Sequence, residues 1–282
     1  MRSLRSADRR SFPFRTSVAA VLACATIAVP VTATTMGEGL AHAAPASVTG
    51  GQVVVPVPAA ISIPDVENVR TFANYRTVDG HAITDRVIRS ANLSTLTPVG
   101  VANLQKRHLA SIIDLRTTIE DQLQADKPVP GATVHHFDVF RASPPADLIN
   151  LTEGYRQFVS NPVARQAFGD SLRNISQTVA DGGAVLFHCS AGKDRTGWLA
   201  VTLLTVLGVR HDVVVDDYLA SNTFRHASPN DPIDGVNIGY LNSAFDQVHK
   251  DYGTFDSYVH KGLGLTDADV AGLKHALLLP AN

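Results

Sequence analysis

The chain reads as an α/β protein with a central, mostly parallel sheet flanked by helices. Three observations predict this. Short apolar runs alternate with segments of helical spacing, the order that builds parallel strands through crossover helices. One unit, Ala184 to Leu207, passes from an apolar run into a loop of small residues and then into a helical pattern. The 282 residues, even without an N-terminal leader, are long enough for one sizeable core.

The leader comes first. Arg2, Arg5, Arg9, Arg10 and Arg15 precede an apolar run from Ser17 to Thr35, and Ala41-His42-Ala43 offers a small-x-small cleavage site. Residues 1–43 therefore read as a signal peptide and not as a transmembrane span, which predicts a secreted or extracytoplasmic protein. Arg9-Arg10-Ser11-Phe12 fits the twin-arginine pattern, with Asp8 and Pro13 as imperfect flanks. Val21-Leu22-Ala23-Cys24 is a lipoprotein-like alternative, but the apolar run continues well past Cys24.

Residues 44–64 are rich in Ala, Pro and Val and read as a linker or edge extension, because their prolines exclude a central strand. The domain proper is expected over 65–282. Val78-Asp79-Gly80 marks a turn, and a short strand follows around Val87 to Arg89. Thr97-Pro98 supplies an N-cap and a first helical position for a helix carrying Val101, Leu104 and Gln105. Leu109 to Leu115 predicts a buried strand and Ala132 to Phe140 another, after the Pro128-Val129-Pro130-Gly131 turn.

Past Asn150 the chain is expected to turn helical. Val163, Ala167, Phe168, Leu172, Ile175 and Val179 keep helical spacing until Asp181-Gly182-Gly183 stops it. Ala184 to Phe187 is then a strand, and Trp198, Val201, Thr202 and Thr205 mark the next helix, closed by Gly208. A helix over His211 to Ser221 follows, then further helical pieces. In the last of these Thr266 and Asp269 form a capping box.

Between that strand and its helix lies His188-Cys189-Ser190-Ala191-Gly192-Lys193-Asp194-Arg195-Thr196-Gly197. A small-residue loop opening a helix turns its N–H groups toward one point, and the helix N-terminus adds positive potential there. A cysteine in that focus ionises below the ~8.5 of a free thiol. Arg195 can grip two oxygens of a phosphoryl group in a bidentate fork, which lysine cannot copy. Ser190, Ala191, Gly192, Lys193 and Thr196 would complete the substrate-binding loop. The chemistry this suits is in-line attack of Cys189 on a phosphomonoester, a phosphocysteine and its hydrolysis. A nucleotide P-loop fails, since Asp194 follows Gly192-Lys193 where Ser or Thr belongs and Phe187 stands where the first Gly should be.

The stretch HCSAGKDRTGW resembles the signature of the cysteine-dependent protein tyrosine phosphatases, in their bacterial secreted branch with mycobacterial members. Other segments resemble that family's motifs in the family's order: NVRTFANYRTVDG from Asn68, IRSANLSTLT from Ile88, IIDLRTTIE from Ile112, EGYRQFV from Glu153 and DDYLASN from Asp216. The resemblance implies a phosphatase-like fold, phosphotyrosine hydrolysis extending to phosphoserine and phosphothreonine, and an active-site role for Asp194. It departs from the family where Thr71 replaces Asp and Ala73-Asn74 replace Gly-Gly. A phosphoinositide phosphatase is the alternative, with Lys193 as the second cation that a multiply charged headgroup needs. A non-catalytic phosphate-binding module is less consistent with a chain that keeps both thiol and arginine.

The leaving oxygen needs a proton, and Asp194, Asp138 and Asp147 are the candidate acids. Arg141 stands about where the family places its aspartate past the preceding strand. Asp114 and Arg116 are expected to brace the sheet, and Tyr155 to floor the pocket or anchor a helix. Asp216, Asp217 and Asn222 are expected to pin the helix behind the loop, while His188 and Gly197 support the loop itself. The histidines show no metal spacing, so no metal or cofactor is expected.

Charge excludes further classes. The net charge is −2, and loss of the leader, with its five arginines against Asp8 and Glu38, takes it to −5, so no basic stripe is left for nucleic acid. Cys24 and Cys189 are the two cysteines, so loss of the leader would leave Cys189 without a disulfide partner. The expected partner is a phosphorylated protein or a phosphoinositide.

Overall fold

The computed structural model describes residues 57–281 except 142, 144–149 and 232. The leader and Asp147 lie outside them. The strands are β1 (Ala59–Ala60), β2 (Arg70–Thr71), β3 (Ala82–Ile83), β4 (Val87–Ser90), β5 (Leu109–Asp114), β6 (Thr133–His136), β7 (Ala184–His188) and β8 (Leu278–Leu279). Among the described residues the main sheet runs β1-β2-β4-β7-β5-β6. Pairing is parallel from β4 through β7 and β5 to β6, and antiparallel at β1 and β2. The expected mostly parallel sheet is present.

The helices are α1 (Pro98–Lys106), α2 (Thr118–Leu123), α3 (Leu151–Ser160), α4 (Pro162–Ala180), α5 (Arg195–Leu207), α6 (His211–Phe224), α7 (Ile238–Tyr252), α8 (Phe255–Ser257), which runs into a π-helical turn, and α9 (Asp267–Leu277). Alternation along the central strands divides the core in two. Val87, Ile113, Val185 and Phe187 face the large cluster built by α3, α4, α5 and α9. Ile88, Ile112, Ala184 and Leu186 face a smaller cluster with Leu104 of α1. No described helix is long and apolar enough to cross a membrane.

Local signals set the boundaries. The Thr97 hydroxyl accepts the Gly100 N–H at 3.3 Å and Pro98 opens α1, while Thr266 and Asp269 form the capping box of α9. Gly208 ends α5 at φ +89°, a left-handed conformation open to glycine. One expectation needs correction. The strand expected over Ala132–Phe140 stops at His136. The helical region after Asn150 forms two helices that meet at Asn161, whose side chain caps α4 while its N–H closes α3. The helix after the loop is buried on nearly every side, because it runs through the middle of the large cluster.

Registry places the site. Ser90 and Asp114 both lie beside His188 at the carboxyl ends of adjacent parallel strands, the edge where loops of α/β sheets converge.

Candidate active site

β7 delivers Cys189 to the sheet edge, and α5 begins at Arg195. Gly192 makes the turn between them possible. Its φ is +66°, and a Cβ there would lie 2.2 Å from the Ser90 carbonyl oxygen. No side chain fits that approach.

Cys189 is buried. Burial pushes the thiol up, but the Arg195 guanidinium and the hydroxyl and N–H of Thr196 outweigh it, and the thiol sits below its ordinary range. Thr196 is fully buried beside the thiol, and its hydroxyl has no hydrogen-bond partner among the described residues. Gly197 lets α5 press against Tyr218, whose ring would meet an added Cβ at 3.1 Å. His188 is buried beneath, its Nδ1 3.2 Å from the Cys189 carbonyl and its Nε2 3.0 Å from Asp126. Burial lowers the imidazole, yet Asp126 and Asp114 reverse that and hold it above the usual histidine value.

Arg195 points across the loop into a cleft of ≈ 560 Å³. Glu120 receives it in a fork, with Nη2 to Oε1 at 2.6 Å and Nη1 to Oε2 at 2.7 Å. The same Oε1 accepts the Ser190 hydroxyl at 2.6 Å. Burial raises the Glu120 carboxyl, but Arg195 and Ser190 drive it well below the carboxylate range. Glu120 was not singled out by the sequence reading. Its signal was Thr117-Thr118-Ile119-Glu120, a capping box that forms here and fixes the carboxylate at the third position of α2.

The candidate acids separate. Asp194 lines the cleft, but its Oδ1 accepts the Tyr155 hydroxyl at 3.0 Å and its Oδ2 lies 3.0 Å from Lys193 Nζ. Asp138 lines the same cleft with one oxygen committed to the Phe140 N–H at 2.9 Å, and burial raises its carboxyl above the ordinary range. Arg141, Phe140 and Tyr155 also line the cleft, and the Phe140 ring lies 5.2 Å from the Arg195 guanidinium carbon. Tyr155 is fully buried, reaches Asp194 and meets the Tyr218 hydroxyl at 2.8 Å.

Lys193 does not stand free over the loop. Its Nζ donates to the Gly235 carbonyl at 3.0 Å besides pairing with Asp194. Ser190 and Ala191 border a second, polar hollow that includes Asn92 and Arg225.

Behind the loop, Asp217 lies between Arg70 at 3.0 Å and Arg89 at 2.6 Å, all three fully buried. Asn222 pairs with both backbone groups of Val236 at 2.8 Å. Asp216 is exposed and pins nothing, contrary to expectation, because it faces out from α6. Asp114 pairs with Arg116 at 2.8 Å, and Asp121 and Asp126 converge on the same guanidinium. Thr71 is buried in β2 and Asn74 caps the Val57 carbonyl, so neither borders the cleft.

The profile of the tyrosine phosphatase family matches residues 61–279. The triple specificity protein phosphatase PtpB of Mycobacterium tuberculosis is 28% identical over 255 residues, covering 68% of this chain and 91% of the relative. A tyrosine-protein phosphatase of Nostoc commune is 30% identical over 225 residues, covering 67% of this chain and 73% of the relative. The crystal structure of P. aeruginosa TpbA aligns with 76% of this chain and all of its own, at 16% identity and a TM-score of 0.40.

Proposed function

From the premise that this chain belongs to the tyrosine phosphatase family and is a phosphoric monoester hydrolase, we propose that it works through a phosphocysteine on Cys189. One observation carries the reading: a buried thiol held below its ordinary range beside an arginine that opens onto the cleft. The thiolate attacks phosphorus, the ester P–O bond breaks, and the leaving oxygen takes the Asp138 proton. Water then attacks the phosphocysteine, returns a proton to Asp138 and frees the thiolate with inorganic phosphate.

Asp138 suits this role because it faces the cleft and its burial favours the protonated form. Asp194 has both oxygens committed to Tyr155 and Lys193 and acts as a strut for the loop. Arg195 binds the equatorial oxygens, and Glu120 keeps its fork aligned. The substrate class is phosphotyrosine, with phosphoserine and phosphothreonine as further substrates, in keeping with the triple specificity named for the mycobacterial relative. A phosphoinositide headgroup is served less well, because Lys193 already spends its charge on Asp194 and the Gly235 carbonyl. The leader makes export, and action outside the cytoplasm, part of the same proposal.

Purified protein in a chelator should hydrolyse an aryl phosphate, and rapid quenching should show phosphate mass on Cys189. Cys189→Ser should lose turnover yet still bind phosphate. Retained activity in that variant overturns the covalent route. A reporter fused to residues 1–43 that stays in the cytoplasm overturns export.

A further inference from the structure

The loop's reactive face is set by its carbonyls. In a trans peptide unit the C=O of one residue and the N–H of the next point in opposite directions. No described peptide bond is cis. Three consecutive carbonyls of the loop are held from outside. The Asn92 side chain and N–H donate to the Ser190 carbonyl at 2.8 and 3.1 Å. Arg225 donates to the Ala191 carbonyl at 3.2 Å and Arg89 to that of Gly192 at 2.9 Å. Asn68 reaches two of them, its Nδ2 lying 2.8 Å from the Gly192 carbonyl and 3.2 Å from that of Ala191. The N–H groups of Ala191, Gly192 and Lys193 are thereby turned inward, and they meet no backbone acceptor among the described residues.

Asn68 is itself held with unusual care. It is 2% exposed and adopts φ +58°, a left-handed conformation that asparagine tolerates and most residues resist. Its carbonyl and its Oδ1 both accept from Arg70 Nη1. Arg70 in turn is fixed by Asp217 and by Ser221 at 3.2 Å. With Oδ1 occupied by a guanidinium, the amide has one orientation left, and its NH2 must face the loop.

We propose that Asn68 is a positioning residue of the phosphatase reaction: by drawing the Ala191 and Gly192 carbonyls outward, it aims the Gly192 and Lys193 N–H groups at the phosphoryl oxygens. It touches no reacting atom and acts through the loop. Loss of its amide frees two peptide units to rotate, and a carbonyl that swings inward repels the phosphoryl group.

The inference rests on the Cys189 loop being the phosphate site, so wild type is the first arm. It should bind inorganic phosphate competitively against an aryl phosphate, and its thiol should alkylate with a depressed pKa. If it does neither, the proposed function fails before Asn68 is at issue. Asn68→Gly keeps the left-handed backbone and deletes only the amide. It should weaken phosphate inhibition roughly tenfold or more, the scale of a hydrogen bond to a charged group, and should raise the alkylation pKa. Asn68→Asp, of equal shape but with no NH2 to donate, should do worse. Leu273→Ala, in α9 away from the cleft, controls for destabilisation alone. If the two Asn68 variants bind phosphate and ionise the thiol like wild type, or shift no more than Leu273→Ala at matched Tm, the proposal is overturned. Should Asn68→Asp not fold, Asn68→Gly decides alone. If neither folds, Asn92→Ala, which removes the side-chain donor to the neighbouring Ser190 carbonyl and leaves the backbone one, must weaken phosphate binding, and its silence overturns the idea.

Discussion

Two arginine–carboxylate constellations grip the same loop, one from the cleft and one from behind. At the cleft, Arg195 and Glu120 form a two-bond fork, and the Glu120 side chain is 30% exposed. Behind the loop, Arg70 and Arg89 share Asp217, whose side chain is 1% exposed. The chemistry is alike and the purpose differs. A pair that borders solvent can be approached, reoriented and shared with an incoming anion. A buried group of two cations and one anion cannot exchange partners without leaving charge unpaired in a low-dielectric interior. Burial has brought Arg89 down to about 10, the direction expected of a cation stripped of water beside a second cation. The cleft pair should therefore govern rate, and the rear group should govern whether the loop exists.

The largest effect should fall on Arg195. Arg195→Lys should lose roughly 10²–10³ in kcat, the scale seen when one oriented donor to a developing charge is removed, with a smaller fall in Tm from the weakened pair with Glu120. Asp217→Ala should do the reverse, costing about 3–5 kcal/mol in a denaturation measurement by stranding two buried guanidiniums. If Asp217→Ala unfolds with the wild-type midpoint, the distinction between the two regions is false. Glu120→Gln keeps the capping geometry but removes the charge, and a fall in kcat larger than any change in Tm is expected.

Acidity sharpens the comparison further. The Cys189 thiol is lowered and must be ionised, so kcat/KM should rise with pH through a value below the ordinary thiol range. Asp138 is raised and must be protonated, so kcat should fall again above the ordinary carboxylate range. Asp138→Asn should remove that basic limb, and a limb that persists would dismiss Asp138 as the acid. Stability should follow other groups. Pairing holds Glu120, Asp114 and Asp217 below their unfolded values despite burial, so their contribution is complete above about pH 4–5 and is lost as pH falls toward the folded values. Tm measured against pH should show this decline, and a second loss should follow as pH rises through the folded value of His188, which its aspartates hold above the usual histidine value. The smallest effect belongs to Asp216→Asn, which should stay within about 0.5 kcal/mol of wild type, as surface changes do.

Much of the site was legible because its signals are local. A strand ending in Cys189, glycine at 192 and Arg195 opening a helix all lie within one unbroken stretch, and Thr97-Pro98 and Thr266-x-x-Asp269 mark helix starts by side-chain chemistry alone. Glu120 escaped notice because α2 is six residues long and buries none of them, so no apolar period announces it. The strand ending at His136 was overread for a related reason. Phe137 and Val139 continue the apolar pattern, but their N–H groups follow the carbonyls of Asp114 and Leu115 where β5 ends, and regular pairing ends with it. Lys193 looked like a substrate cation because nothing nearby in sequence names Gly235 as its acceptor.

The groups that hold the loop open come from residues 68–92 on one side and 217–235 on the other, both far along the chain from Cys189. Closing such distant contacts is entropically expensive and comes late in assembly. The loop therefore reaches its final shape only once both distant flanks have docked, and the rate at which Cys189 is alkylated during refolding should follow that docking.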